Sequence, residues 1–169
     1  MPPVNEAYTV VAVTDEFAIA TWHNVIVCVL RPGLPEAFVV TRPALERMAE
    51  RYGNEILSLT ILDGNFTSLF SAQSRQIARE QLGYTRGVTR RMAIAVLTEG
   101  LLASATRTTM NALSALLELE FEWKTFDAIA PACAYLAPCV IPAADPRELA
   151  EIARRTHTLP VEQSRRTLR

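Results

Sequence analysis

Five arginines form the densest group of potentially functional side chains in the sequence. They lie within seventeen consecutive residues whose only acidic member is Glu80: Arg75, Arg79, Arg86, Arg90 and Arg91. A guanidinium presents a planar set of donors that matches carboxylate and phosphate oxygens. The group therefore predicts contact with an anionic ligand or an acidic protein surface, although such a run is also typical of a solvated helix and loop. One aromatic ring, Tyr84, is too little for base stacking along a nucleic acid.

Three hydroxyl side chains come shortly after a predicted strand that ends at Asp63. They are Thr67, Ser68 and Ser71. Their position near the start of the next predicted helix suits a phosphate group, because the N-terminus of a helix stabilises negative charge. We treat these three residues as candidate phosphorylation sites.

Other residue types do not assemble a reactive site. The only histidines are His23, in a predicted strand turn, and His157, in the polar C-terminal part, so a histidine-based triad is not supported. The six glycines form no phosphate-binding loop, and the acidic residues are scattered. The spacing of the three cysteines matches no common zinc or redox motif. We predict no catalytic residue, no metal and no cofactor.

Composition limits the partners and the location of the chain. A formal net charge of −1 offers no global field for nucleic acid or an acidic membrane. The longest apolar runs, such as 25–30, are too short to span a bilayer, and the N-terminus lacks the features of a signal peptide. We expect a cytoplasmic protein with neither a membrane span nor a nucleic-acid partner.

Hydrophobic patterning predicts an α/β fold with a mixed sheet of about five or six strands backed by about four helices. The predicted strands are three short ones within residues 8–30, the third of them central, followed by 56–62, 92–97 and 121–126. The predicted helices cover 41–52, with a separate turn over 36–40, then 67–82, 101–119 and a segment after Asp127. The small side chains of helix 101–119 allow close packing against the sheet or a second copy, and we expect a homodimer.

The C-terminal part is predicted to be an addition to this domain. We place the α/β domain in residues 1–142 and an appended helix with a flexible basic tail in residues 143–169. The helix opens at Asp145-Pro146, a cap followed by a proline at the first helical position. Its apolar stripe of Leu149, Ile152 and Ala153 is thin, so we expect weak anchoring.

The order of these elements and two short segments resemble STAS-like domains, over about residues 8–137. Trp123-Lys124-Thr125-Phe126-Asp127 precedes an alanine-rich helix with Tyr135-Leu136, and Arg91-Met92-Ala93-Ile94-Ala95-Val96 is similar to the preceding strand. More narrowly, the chain resembles the bacterial branch akin to anti-sigma-factor antagonists.

The resemblance implies a single sheet backed by helices and a regulatory role in binding other proteins. In some members this role is switched by phosphorylation of a serine or threonine at the helix start after a central strand. The matching region is Asp63 to Ser71. Here Gly64-Asn65-Phe66-Thr67-Ser68 replaces the Asp-Ser-Ser-Gly-like run of those members, so the choice among the three hydroxyl residues stays open.

We therefore expect a non-enzymatic interaction module, phospho-regulated if the switch operates, that presents residues 63–91 to another protein. An alternative is a carrier of a small apolar ligand or lipid held between sheet and helices, for which a roomy apolar pocket would be needed. A third hypothesis is an enzyme whose site a single sequence does not reveal, which a carboxylate beside His23 in a cleft would favour.

Overall fold

The computed structural model describes residues 7–31, 35–64, 76, 79–80, 83–98, 100–101, 103–108 and 121–159. Its strands are β1 (Tyr8–Val13), β2 (Phe17–Trp22), β3 (Val25–Leu30), β4 (Ile56–Leu62), β5 (Thr89–Val96) and β6 (Glu122–Phe126). Its helices are α1 (Pro35–Tyr52), α2 (Ile129–Leu136) and α3 (Pro146–His157), with a 3-10 turn over Ala137–Cys139 between the last two. Further helical residues lie at 83–85 and 103–108.

The strands form one mixed sheet in the order in which they occur along the chain. β1, β2 and β3 pair antiparallel, and β3, β4, β5 and β6 pair parallel. Every residue of β3 is buried, as its uninterrupted run of apolar side chains predicts for a strand covered on both faces. The predicted α/β class and the central position of the third strand are confirmed.

Alternation along the strands sends side chains to two separate apolar layers. On β3, Val25, Val27 and Val29 join α2 and α3 in one layer, which we call the α2–α3 face. Their neighbours Ile26, Cys28 and Leu30 join α1 in the other layer, the α1 face. The sheet therefore lies between two helical layers.

Helix α1 is longer than its sequence indicates. A separate turn over 36–40 is wrong, because one helix runs from Pro35 to Tyr52 with Pro43 inside it. Because Pro43 has no N–H, the Val39 carbonyl oxygen loses its helical hydrogen bond. Both residues are exposed, so this carbonyl can turn towards water. The Thr41 hydroxyl also donates to the Ala37 carbonyl oxygen at 2.7 Å, which holds the turn before the proline.

Helix α3 is an integral part of the core, so the expectation of weak anchoring is wrong. The predicted stripe is buried, and Ala150 and Thr156 are buried with it against the α2–α3 face. Asp145 caps the helix by accepting from the Arg147 backbone, and the Glu148 carboxylate accepts from the Asp145 backbone. The narrow apolar stripe is enough to anchor α3 because α2 and the sheet enclose it. In the part of the chain that the structure describes, no helix is both long and apolar enough to cross a membrane.

Candidate functional site

A cleft of about 470 Å³ lies at the edge of the sheet where the parallel strands β4 and β5 begin. We call it the arginine cleft. Its lining consists of polar, charged or glycine residues: Asn54, Glu55, Arg86, Gly87, Thr89 and Arg90. The lining thus brings two arginines, one glutamate and one threonine to a single concave surface.

Two turns bring these residues together. Gly53 ends the α1 segment with a φ of 60°, a left-handed conformation that glycine adopts without strain, and its N–H donates to the Ala49 carbonyl oxygen. On the other side, the turn before β5 is closed by the Val88 N–H, which donates to the Thr85 carbonyl oxygen at 3.1 Å. Both turns lie next to strand ends, so a rigid sheet positions the cleft.

A buried asparagine fixes the backbone behind the cleft. Asn24 is 0% exposed. Its side-chain amide donates to the carbonyl oxygens of Glu55 and Cys139, at 2.6 and 3.1 Å. Its side-chain oxygen accepts from the Ile141 N–H at 2.8 Å. One side chain therefore ties the β2–β3 turn to the start of β4 and to the segment after α2.

A β-bulge in β5 lies at two neighbouring arginines. Thr89 pairs with Ile56, but the next pair joins Arg91 to Leu57, so Arg90 is an extra residue in the strand. Arg90 lines the arginine cleft, whereas Arg91 lies over α2.

Arg90 forms an ion pair with Glu55 across the cleft. Both side chains are partly exposed, at 49% and 38%. The hydrogen bond to Glu55 raises the pKa of the Arg90 guanidinium, which is charged at every physiological pH in either case. Because one of its nitrogens makes the contact with Glu55, the guanidinium retains other donors for a ligand.

Thr89 is unusual because its hydroxyl has no hydrogen-bond partner. The residue is only 5% exposed, and the Oγ1 atom is inaccessible to water. The structure describes three further buried side-chain polar atoms without partners, namely Trp22 Nε1, Arg91 Nε and Trp123 Nε1. Of these four residues, Thr89 is the one that lines the arginine cleft.

Arg91 makes its described contacts within the fold. It forms an ion pair with Glu122 at 2.5 Å and donates to the Tyr135 carbonyl oxygen at 3.1 Å. Its guanidinium also lies 4.7 Å from the centre of the Tyr135 ring. Burial, followed by a hydrogen bond to Glu122, raises the pKa of the Tyr135 hydroxyl to about 12. Arg91 therefore links β5, β6 and α2, and its side chain is only 20% exposed.

The predicted arginine group is thus divided among different surroundings. Arg86 and Arg90 line the arginine cleft, whereas Arg91 does not. Arg79 is helical and exposed. Arg75 lies outside the described residues. The candidate phosphorylation sites Thr67, Ser68 and Ser71 also lie outside them, so the phosphorylation switch stays a prediction.

A second polar group occupies the opposite edge, where the parallel strands end, and we call it the carboxyl-edge group. His157, in the last turn of α3, contacts the Asp63 carboxylate at 2.6 Å. Arg31 donates to the carbonyl oxygens of His157 and Thr14, at 3.0 and 3.3 Å. Our sequence reasoning placed His157 in a polar tail. The one sequence feature that could have indicated this group is the position of Asp63 directly after a buried strand, where ligands often bind in parallel sheets.

In the part of the chain that the structure describes, no hydrogen bond or ion pair joins His23, in the β2–β3 turn, to a carboxylate. His23 has a φ of 52°, and its ring centre lies 4.5 Å from that of Trp22. Burial lowers its pKa, the positive charge of Arg51 lowers it further, and Glu148 acts in the opposite direction. The Glu148 carboxylate is bonded at the start of α3, as part of its capping box.

The thiols are buried and free of disulfides. Burial raises the pKa of Cys28 and of Cys133 to about 12 in each case, which leaves almost no thiolate at neutral pH. Within the described ranges, no three histidine, cysteine or acidic side chains form a group that could hold a metal ion.

The sequence and the fold were also compared with known proteins. No protein-family model, curated protein or solved structure matches this chain. The candidate site therefore has to be interpreted from its own geometry.

Proposed function

We propose that the protein is a non-enzymatic interaction module that captures an acidic protein partner through the arginine cleft. The observation that carries the proposal is the pairing of Arg86 and Arg90 in one concave surface at a rigid sheet edge. Guanidinium groups bind carboxylate and phosphate through parallel, charge-assisted hydrogen bonds. The resemblance to STAS-like domains, which implies a regulatory role in binding proteins, supports the same proposal.

The charge distribution favours a local contact over a general attraction. The chain has a formal net charge of −1, so an acidic partner gains nothing from its global field. We place the local attraction at the cleft, whose lining includes two arginines and one glutamate. Because both side chains of the Arg90–Glu55 pair are partly exposed, added salt should weaken the binding.

The carrier hypothesis receives no support from this cleft. A pocket for an apolar ligand is lined mainly by aliphatic and aromatic side chains. The arginine cleft contains no such residue. We therefore retain an anionic group on a protein as the occupant.

The test is a binding titration with a defined probe, a fluorescent peptide rich in Asp and Glu. We expect the double variant R86A/R90A to lower the affinity about tenfold or more, because hydrogen bonds to charged groups are lost. The matched control is R47A/R147A, which removes the same charge from two exposed arginines away from the cleft. An equal loss in both variants would mean that the peptide responds only to net charge and would refute the proposal.

A further inference from the structure

We propose that the arginine cleft recognises a phosphoryl group on the partner and that the Thr89 hydroxyl donates to one of its oxygens. This inference rests on the proposed function and specifies the chemistry of the captured group. One buried group of the folded protein is energetically unfavourable. A buried hydroxyl without a hydrogen bond is destabilising, and Thr89 carries one at the wall of a cleft that contains two arginines.

To contact a ligand, the Thr89 hydroxyl has to turn about χ1, because Oγ1 is inaccessible to water in its present position. Threonine populates more than one χ1 rotamer, and a rotation of about 120° places the hydroxyl where the methyl group or the hydrogen on Cβ was. Since Oγ1 has no partner, the rotation breaks no hydrogen bond. A ligand oxygen in the cleft would provide the acceptor that the fold does not.

Three donors around one cleft match a group with several terminal oxygens. Arg86 and Arg90 each carry several N–H donors, and Thr89 adds an O–H donor once its hydroxyl has turned towards the cleft. A phosphoryl group has three terminal oxygens with strong acceptor character, whereas a carboxylate has two. A cleft of about 470 Å³ also has room for a phosphorylated side chain with part of its backbone.

Glu55 makes the cleft selective for high negative charge. Its carboxylate already occupies one donor of Arg90. A single carboxylate on the partner carries the same charge as Glu55 and would gain little by displacing it. A phosphoryl group carries about −1.5 to −2 at neutral pH and therefore competes better for the same guanidinium. Glu55 thus acts as an internal competitor, so that a phosphoryl group should bind more tightly than a single carboxylate.

The experiment uses three short peptides of the same glycine and alanine sequence, with phosphoserine, glutamate or serine at the centre. Isothermal titration calorimetry measures their binding to the intact protein. We expect the phosphoserine peptide to bind at least about tenfold more tightly than the glutamate peptide, with the serine peptide weakest. Equal affinity for phosphoserine and glutamate would overturn the inference. A loss of phosphoserine binding below about pH 6, where the phosphoryl group takes up a proton, would support it.

Variants of the cleft separate the inference from the proposed function. T89V removes the hydroxyl with little change of shape and should weaken phosphoserine binding about tenfold, whereas T89S should retain it. E55Q removes the competing charge and should strengthen binding about fivefold. Thermal unfolding of each variant shows that the fold is intact. If R86A/R90A loses acidic-peptide binding while T89V binds phosphoserine like the parent protein, the interaction module stands and the phosphoryl inference fails.

Discussion

At the edge where the parallel strands end, Asp63, His157 and Arg31 bond to one another or to backbone oxygens. At the edge where they begin, Thr89 lacks a partner and Arg90 shares a cleft with Arg86. Both edges thus carry charged groups on rigid elements. They differ at Thr89, whose buried hydroxyl has no hydrogen-bond partner, whereas Arg90 at the same edge forms an ion pair with Glu55.

The comparison separates polar groups whose hydrogen bonds are made within the fold from one whose hydrogen bond is not made. A buried polar group whose hydrogen bonds are made contributes to stability, whereas one whose bonds are not made has a cost that binding can remove. Open α/β sheets often bind ligands at the carboxyl ends of their strands, where the strand order reverses. Here the strand order contains no reversal, and the described cleft lies at the opposite edge.

The largest expected effect comes from Asn24, which holds the frame of the amino-terminal edge. We expect N24A to lower the free energy of unfolding by about 3 kcal/mol, because three hydrogen bonds of a buried side chain are lost. Urea denaturation measures the change. N54A is the matched control, since Asn54 is exposed at the same edge and should change stability by less than about 0.5 kcal/mol. Equal values for the two variants would contradict the role of Asn24.

A smaller effect of opposite sign is expected at Thr89. T89V should raise the free energy of unfolding by about 1 kcal/mol, because it removes a buried hydroxyl without a partner. The same substitution should weaken phosphoserine binding, so that stability and affinity change in opposite directions. Urea denaturation and calorimetry on one protein sample check both. A loss of stability in T89V would show that the hydroxyl is satisfied in the folded protein.

In contrast to Thr89, the carboxyl-edge group should contribute to stability and not to phosphoserine binding. We expect H157A to destabilise the fold by about 1 kcal/mol, since the contact with Asp63 is only partly buried, and to leave phosphoserine binding unchanged. A double-mutant cycle with D63A isolates the contribution of the pair. If H157A lowers peptide affinity while its fold remains intact, the functional division between the two edges is wrong.

The smallest effect is a pH dependence due to His23. Its pKa is lowered in the folded state by burial and by Arg51, so the unfolded chain binds more protons over the pH range between the folded value and 6.5. The contribution of His23 to stability is therefore present above about pH 6.5 and is lost as the pH falls towards the folded value. Asparagine tolerates the left-handed backbone at this position. H23N should therefore have a flatter stability profile in that range, and a profile parallel to that of the parent protein would refute the prediction.

Much of the fold was predictable because it follows from local patterns. The breaks at residues 14–16 and 23–24 separate the first three strands, and the apolar run of Val25–Leu30 indicates a central strand. The anchoring of α3 was not predictable, since a thin stripe suffices only when α2 and the sheet enclose it. Similarly, proline is typical of the first turn of a helix, so the sequence around Pro43 did not indicate that α1 already begins at Pro35.

The site was predictable in composition but not in detail. The arginine cluster is visible in the sequence, but the bulge at Arg90 depends on pairing with β4. An unpartnered hydroxyl at Thr89 has no sequence signature. The contact of Asp63 with His157 joins residues 94 positions apart. The homodimer, the cytoplasmic location and the phosphorylation switch stay predictions.

Phosphoryl recognition by the arginine cleft is tested most directly by titrating the isotope-labelled protein with the phosphoserine peptide. The titration is followed through backbone amide chemical shifts. This measurement observes both edges of the sheet at once. We expect saturable shifts at Glu55, Gly87 and Thr89, and unchanged signals at Asp63 and His157. Saturable shifts at the carboxyl edge with none at the arginine cleft would contradict the account.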